Sequence, residues 1–277
     1  MQFTAMILDN AEVSPGYWRM RMTAPPEMTA ARPGQFVMVR VNRSIDPLIR
    51  RPFGVFDVGV LQPAYTGAAP QPYLEILYRV VGKGTAMLAD LHETDLLDVL
   101  GPLGSGFDNG PAGEEKLIVG GGVGLAPLYL LARELAAEAP VRLFAGGRTK
   151  DDLLCITEFE RLGVECYVAT EDGSLGERGL VTRVLEQRLE VTGNRGRIFA
   201  CGPHGMLKAV AAIAARRTVP CQVSLEGYMA CGMGACLGCV CQGTNHSAET
   251  PDYRCVCTEG PVFDANVLKW EEACHEA

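Results

Sequence analysis

The chain has 277 residues, enough for one large domain or two medium ones with an appendage. Hydrophobic residues make up 48% and charged residues 21%, the balance of a globular protein with proper cores. A net charge of −8, with no Lys/Arg-rich block, argues against a nucleic-acid or anionic-membrane surface.

The N-terminal "MQFTAMILDN" lacks a basic start followed by an apolar core, so no signal peptide is expected and a cytoplasmic location is. Residues 1–107 read as all-β. Runs rich in Val, Ile, Phe and Tyr, "GQFVMVRV" (34–41), "RRPFGVFDV" (50–58) and "YLEILYRVV" (73–81), alternate with Gly/Pro punctuation and suggest a small antiparallel barrel. Between them "LQPAYTGAAPQP" (61–72) reads as a hairpin tip.

The pattern changes over 108–223. "KLIVGGG" (116–122), "VRLFAGG" (141–147), "VECYVAT" (164–170) and "RIFACGP" (197–203) are buried-strand runs. Helical patterns separate them: Ala126–Ala139, a stretch near Asp151–Leu162, another near Val181–Arg188, and Gly205–Arg217. Strand–helix alternation predicts a Rossmann-like parallel sheet with helices on both faces. Arg133, Glu134 and Glu138 interrupt the most apolar helix, so no membrane span is expected. Residues 224–277 read as Gly- and Cys-rich loop with too few large apolar residues for a core, a segment that needs a metal centre or a docking surface.

Two strand-to-helix junctions carry the nucleotide signal. "VGGGVGLAPL" (119–128) offers Gly120, Gly121, Gly122 and Gly124 for close backbone approach to a diphosphate. Pro127 suits the first helical turn. "ACGPHGML" (200–207) follows the fourth strand, so Cys201, Gly202 and Pro203 should open on the same carboxyl edge of the sheet, where such sheets bind ligands. Cys201 reads equally as a packing residue or a nicotinamide contact, and His204 as an exposed loop residue. Beyond the second strand "GGRTKDD" (146–152) mixes Arg148 and Lys150 with Asp151 and Asp152, which leaves NAD and NADP open.

In the barrel, Arg51 can pair with a phosphate and Phe53 can stack on an aromatic ring. Gly84 and Thr85 offer backbone and hydroxyl donors to a second phosphate face. These features beside a dinucleotide domain make a flavin site.

Eleven cysteines in a long chain point to metal or redox chemistry rather than a disulfide scaffold. Cys155, Cys166, Cys201, Cys221 and Cys274 are scattered and read as packing residues. Cys231, Cys236 and Cys239 have the C-x4-C-x2-C spacing of a plant-type 2Fe–2S loop, with glycines between them that let N–H groups approach sulfur. Spacing leaves Cys255 and Cys257 equal as the fourth ligand. A structural zinc held by four of the six clustered thiols is the rival reading, although only Cys236/Cys239 forms a zinc-type knuckle.

"RRPF", "GKGT", "GGGVGLAP" and "CGP" together resemble the ferredoxin–NADP reductase superfamily. "YRVVGKGT" (78–85), "TEDGSLGERGLVT" (170–182), "SLEGYMACGMGACLGCVC" (224–241) and "CTEGPVF" (257–263) narrow this to the electron-transfer subunits of class 1B dihydroorotate dehydrogenases, over essentially the full length. The resemblance implies a barrel holding FAD through Arg51, Pro52, Phe53, Gly54, Leu77, Tyr78, Arg79, Gly84 and Thr85, an α/β domain holding NAD, and a 2Fe–2S segment. It also implies an FMN-containing catalytic subunit as partner, in a heterotetramer of two plus two, and a place in pyrimidine biosynthesis. It favours Cys257 as fourth ligand, so that replacing Cys255 is expected to spare the cluster and replacing Cys257 to lose it. One departure stands out: the superfamily usually has Ser or Thr where this chain has Gly54. Two alternatives remain at this level, a flavin/iron–sulfur subunit of another NAD(P)H-linked complex, of ferredoxin:NADP, sulfide or hydrogenase type, and a non-redox zinc-stabilised nucleotide-binding module.

Overall fold

A computed structural model describes residues 1–42, 44–62, 69–193, 195–247 and 249–270. The expected hairpin tip falls largely at 63–68 and Cys274 at 271–277, both outside the described residues.

Seven antiparallel strands form the N-terminal unit: β1 (Gln2–Ser14), β2 (Tyr17–Thr23), β3 (Phe36–Arg40), β4 (Arg51–Gly54), β5 (Asp57–Leu61), β6 (Gln71–Arg79) and β7 (Leu96–Leu103). Their order is β4-β3-β7-β1-β2-β6-β5. The long β1 serves two neighbours, pairing β7 through Gln2–Met6 and β2 through Ile7–Ser14, which curls the sheet into a barrel-like layer. Alternate residues, Ala5 and Ile7, Met20 and Met22, Val37 and Val39, Leu74 and Ile76, point into one buried core.

Two details differ from the sequence reading. The run 50–58 is two strands, because the chain changes partners at its middle: Val55 N–H donates to Gln35 O and Phe56 N–H to Glu75 O. The unit is not all-β either, since Lys83–Ala89 is a short helix, α1, whose entry the Thr85 hydroxyl caps by accepting from Val81 and Gly82 N–H.

The second unit carries parallel strands β8 (Lys116–Gly121), β9 (Val141–Gly147), β10 (Glu165–Thr170), β11 (Glu177–Arg178), β12 (Arg197–Cys201) and β13 (Cys221–Ser224), in the order β11-β10-β9-β8-β12-β13. Helices α2 (Ala126–Leu135) and α3 (Ile156–Arg161) cover the face with Ile118, Leu143 and Phe199. Helices α4 (Val181–Thr192) and α5 (His204–Arg217) cover the face with Leu117, Val119 and Ile198. The strand order reverses between β8 and β12, and a crevice opens there at the carboxyl ends. The helix read near 151–162 is shorter than its pattern, because Cys155 takes a left-handed φ of 58° immediately before α3.

The cysteine-rich segment adds a hairpin, β14 (Val240–Gln242) with β15 (Tyr253–Cys255), and β16 (Val262–Asp264), which pairs antiparallel with β13. Cys239, Cys241, Cys255, Val256, Cys257 and Phe263 share a core with the α/β unit and with Met38 of the barrel. A docking surface holds the segment, one of the two supports its composition calls for.

Side chains also tie the barrel to the α/β unit. Arg133 of α2 pairs with the Asp57 carboxylate and donates to Val58 O at 3.0 Å, and the Phe56 and Tyr129 rings stack at 4.6 Å. Tyr17 donates its hydroxyl to Asp152 at 2.7 Å; burial first, then that bond, pushes the phenol up to about 12.

Candidate functional site

A cavity of 510 Å³ opens at the crevice between β8 and β12, within the size range of ligand pockets (about 300–1,000 Å³). Gly121, Gly122, Gly202 and Pro203 line it. Gly120, Gly124, Pro127 and Cys201 stand behind this wall. A Cβ on Gly124 would lie 2.4 Å from Cys201 O and 2.6 Å from Gly202 Cα, so the two glycine turns are pressed backbone to backbone. Cys201 is buried, and burial raises its thiol well above the ordinary range. Its place at the strand end fits the packing reading.

The cavity also takes residues that sequence reasoning missed. Tyr17 comes from the barrel with no local signal. Glu226 follows the end of β13 and obeys the same strand-end rule that found the two glycine turns. Glu226 lines the cavity, and desolvation raises its carboxyl above the usual carboxylate value. His204 is no exposed loop residue: it is half-buried, opens α5 and lies 5.6 Å from the Trp270 ring. Among the charged residues of "GGRTKDD", Arg148 and Asp152 line the cavity, and Asp152 is committed to the fold. Its carboxylate accepts from Tyr17 OH and from Arg148 and Thr149 N–H, at 2.7, 2.9 and 3.1 Å.

In the barrel, β4 brings Arg51, Pro52, Phe53 and Gly54 to the junction of all three parts. A Cβ on Gly54 would stand 3.1 Å from Pro127 Cβ, at the head of α2. Pro52 pairs with Met38 of β3, and a Cβ on Gly232 of the cysteine loop would stand 2.5 Å from Met38 Cγ. One four-residue strand thus lies between the dinucleotide turn and the cysteine loop. Arg51 folds over Gly84, where a Cβ would meet its Nε at 2.6 Å, so "RRPF" and "GKGT" form one surface. Phe53, Leu77 and Tyr78 are buried in the cores, and the Thr85 hydroxyl serves α1, so what these four offer a ligand is main chain. Arg79 is exposed at the cavity edge, its guanidinium 5.4 Å from the Tyr17 ring centroid. The Arg51 guanidinium beside the bare Gly84 suits a flavin diphosphate.

The six clustered thiols divide. Cys231 Sγ accepts from Met233 N–H at 3.5 Å and Cys236 N–H at 3.4 Å. Backbone donation, from Met233 foremost, lowers the Cys231 thiol to about 6. Cys257 Sγ accepts from Gly234 N–H at 3.1 Å, and Cys239 Sγ from Cys257 N–H at 3.4 Å. Gly232 and Gly234 have φ of 72° and 80°, a conformation costly for other residues, in the loop whose Met233, Gly234 and Cys236 amides donate to sulfur. Cys239, Cys255 and Cys257 are buried with sulfurs within 4.8 Å of one another. Cys241 turns away, its Sγ 3.6 Å from Arg254 O. Amide donors aimed at several thiolates suit an iron–sulfur cluster, whose sulfur atoms carry negative charge.

Family models match two parts of the chain: the iron-sulfur cluster binding domain of dihydroorotate dehydrogenase B over residues 226–269, and the oxidoreductase NAD-binding domain over 118–212. The chain is 37% identical over 270 residues to the dihydroorotate dehydrogenase B (NAD(+)) electron transfer subunit of Desulforamulus reducens, covering 97% of this chain and 98% of that one. It is 44% identical to the subunit of the same name from Bacillus caldolyticus, over 84% and 85% of the two chains. Among solved structures, an NADH-dependent reduced ferredoxin-NADP oxidoreductase superposes with a TM-score of 0.80 at 29% identity, covering 96% of this chain and 90% of that one. A ferredoxin NADP+ reductase from Neisseria gonorrhoeae, at 16% identity and TM-score 0.64, covers 78% of this chain and 91% of its own and shares the fold.

Proposed function

The chain belongs to the family of dihydroorotate dehydrogenase B (NAD(+)) electron transfer subunits, and we propose that its three parts form one conduit ordered along β4. The subunit is an oxidoreductase component that works with a 2Fe–2S cluster, FAD and NAD. It takes electrons from an FMN-containing catalytic subunit, where dihydroorotate becomes orotate, and delivers them to NAD+. When bound, the cluster supplies one-electron steps and the flavin gathers them into the pair that a nicotinamide requires.

The observation that carries this reading is the position of β4, with Pro127 at one end and, through Met38, Gly232 at its side. Its residues assign the flavin to Arg51, Pro52, Phe53 and Gly54, with Leu77, Tyr78, Arg79, Gly84 and Thr85 adjoining. Gly54 leaves a main-chain surface where relatives of the superfamily present a hydroxyl. Gly120, Gly121, Gly122, Gly124, Pro127, Cys201, Gly202 and Pro203 form the NAD end. Gly121, Gly122 and Gly202 face the dinucleotide, and Gly120, Gly124 and Cys201 hold that wall in shape. Cys231, Cys236, Cys239 and Cys257 hold the cluster. The domains assigned are 1–107 for FAD, 108–223 for NAD and 224–277 for the cluster.

The assembly is a two-plus-two heterotetramer with the cysteine segment at the partner interface. The cytoplasm is the assigned compartment. In support, none of the described helices is long and apolar enough to cross a membrane, and the ten described cysteines are all free thiols.

Metal, flavin and the visible spectrum of the purified chain test the reading together. About two irons and one FAD per chain, with cluster and flavin absorption, are expected; a colourless protein containing zinc would overturn it. The Arg51–Gly84 surface has its own test. Gly84→Ala drives a methyl into the guanidinium and is expected to weaken FAD binding about tenfold, read as flavin lost on gel filtration, with iron content unchanged.

A further inference from the structure

Cys255 stands beside Cys239 and Cys257, the two buried thiols among the four proposed ligands. Its Sγ lies 3.7 Å from Cys239 Sγ and 3.6 Å from Cys257 Sγ. Two sulfurs bound to one tetrahedral metal at about 2.3 Å each are separated by about 3.7 Å. The spacing of Cys255 from each neighbour is therefore that of a ligand pair.

Backbone contacts hold Cys255 at this position. Cys255 ends β15 opposite Val240, the residue after Cys239, and Val256 N–H donates to Cys239 O at 2.9 Å. Cys255 N–H donates to the Glu259 carboxylate at 2.8 Å, while Cys255 O accepts from Thr258, Glu259 and Gly260. The turn that presents Cys257 is thus hinged on Cys255. No third thiol accompanies Cys231 and Cys236 among the described residues, since the remaining clustered cysteine, Cys241, points to Arg254 O.

We propose that Cys255 is a reserve cluster ligand on the side where Cys239 and Cys257 lie. When Cys257 is lost, the Cys255 thiol releases its proton to solvent and its sulfur takes the open position, with no change in iron oxidation state. The inference rests on the cluster reading above, and it reverses the expectation that losing Cys257 loses the cluster.

The test compares the full-length flavin-containing protein with Cys255→Ala, Cys257→Ala and the double variant, read by iron per chain and visible circular dichroism. Both single variants are expected to keep about two irons per chain, with Cys257→Ala showing a changed dichroism spectrum because its ligand comes from another chain position. The double variant is expected to lose at least tenfold in iron. FAD at the wild-type ratio shows that each variant is folded. A folded but iron-free Cys257→Ala or Cys255→Ala, or an iron-replete double variant, overturns the proposal. Iron-free wild-type protein would instead remove the cluster reading, and this inference with it.

Discussion

Cys231→Ala is expected to yield a folded, FAD-containing protein that oxidises NADH with an artificial acceptor yet no longer exchanges electrons with the catalytic subunit. Loss of second-shell partners of a metal site typically costs about 10–100-fold, and removal of a ligand without a substitute costs more. Cys231 has no substitute. Its sulfur is the acceptor of two backbone N–H groups, and the spare thiol of the segment lies beside Cys239 and Cys257. Backbone donation also keeps Cys231 ionised above about pH 6, where an ordinary thiol is protonated up to about 9. Cys231 thus offers a thiolate to incoming iron at neutral pH, whereas burial raises the Cys239 and Cys257 thiols. The split between preserved NADH:acceptor activity and lost partner-dependent activity distinguishes a broken relay from general unfolding.

Gly124→Ala is expected to cut NAD+ reduction by about ten- to hundredfold, with iron and FAD close to wild type. The new Cβ would sit 2.4 Å from Cys201 O and 2.6 Å from Cys201 C, main-chain atoms at the end of a central strand that have no side-chain freedom to yield. Overpacking of this kind costs about 1–3 kcal/mol, and about 1.4 kcal/mol corresponds to a tenfold change. Here the strain falls on the contact between the "GGGVG" and "CGP" turns and so on the wall of the cavity. Stopped-flow reduction of the flavin by NADH reads this step without the partner. An unchanged rate would mean that the two turns do not form the nicotinamide site.

How much of this was legible depended on whether a signal was local. The glycine turns at 120–124 and 202 announce themselves, because a strand that stops at glycines before a helix has few other reasons to do so. The parallel sheet covered on both faces follows from the βαβ alternation, whereas the strand order with its reversal between β8 and β12 is set by which crossovers turn to which side, and no local signal carries that. Helix α1 escaped because it has only seven residues and begins among glycines, a pattern that reads as loop. The role of β16 escaped because three residues at a sheet edge carry no periodicity, and its partner β13 lies some forty residues upstream. The contribution of Tyr17 to the cavity, and its bond to Asp152 across 135 positions, exist only once the barrel packs on the sheet. With Cys255 and Cys257, spacing could name both thiols. Their common nearness to Cys239 required the β14–β15 hairpin.

The ordering of cluster loop, β4 and dinucleotide turn is most directly tested by dihydroorotate-dependent NAD+ reduction. The purified chain is measured alone and then with the FMN-containing catalytic subunit, using wild type and Cys231→Ala. The expected result is no dihydroorotate oxidation by the chain alone, NAD+ reduction on adding the partner, and loss of that reduction in Cys231→Ala. Dihydroorotate oxidation by the chain alone, or full partner-dependent NAD+ reduction by an iron-free Cys231→Ala protein, would contradict it.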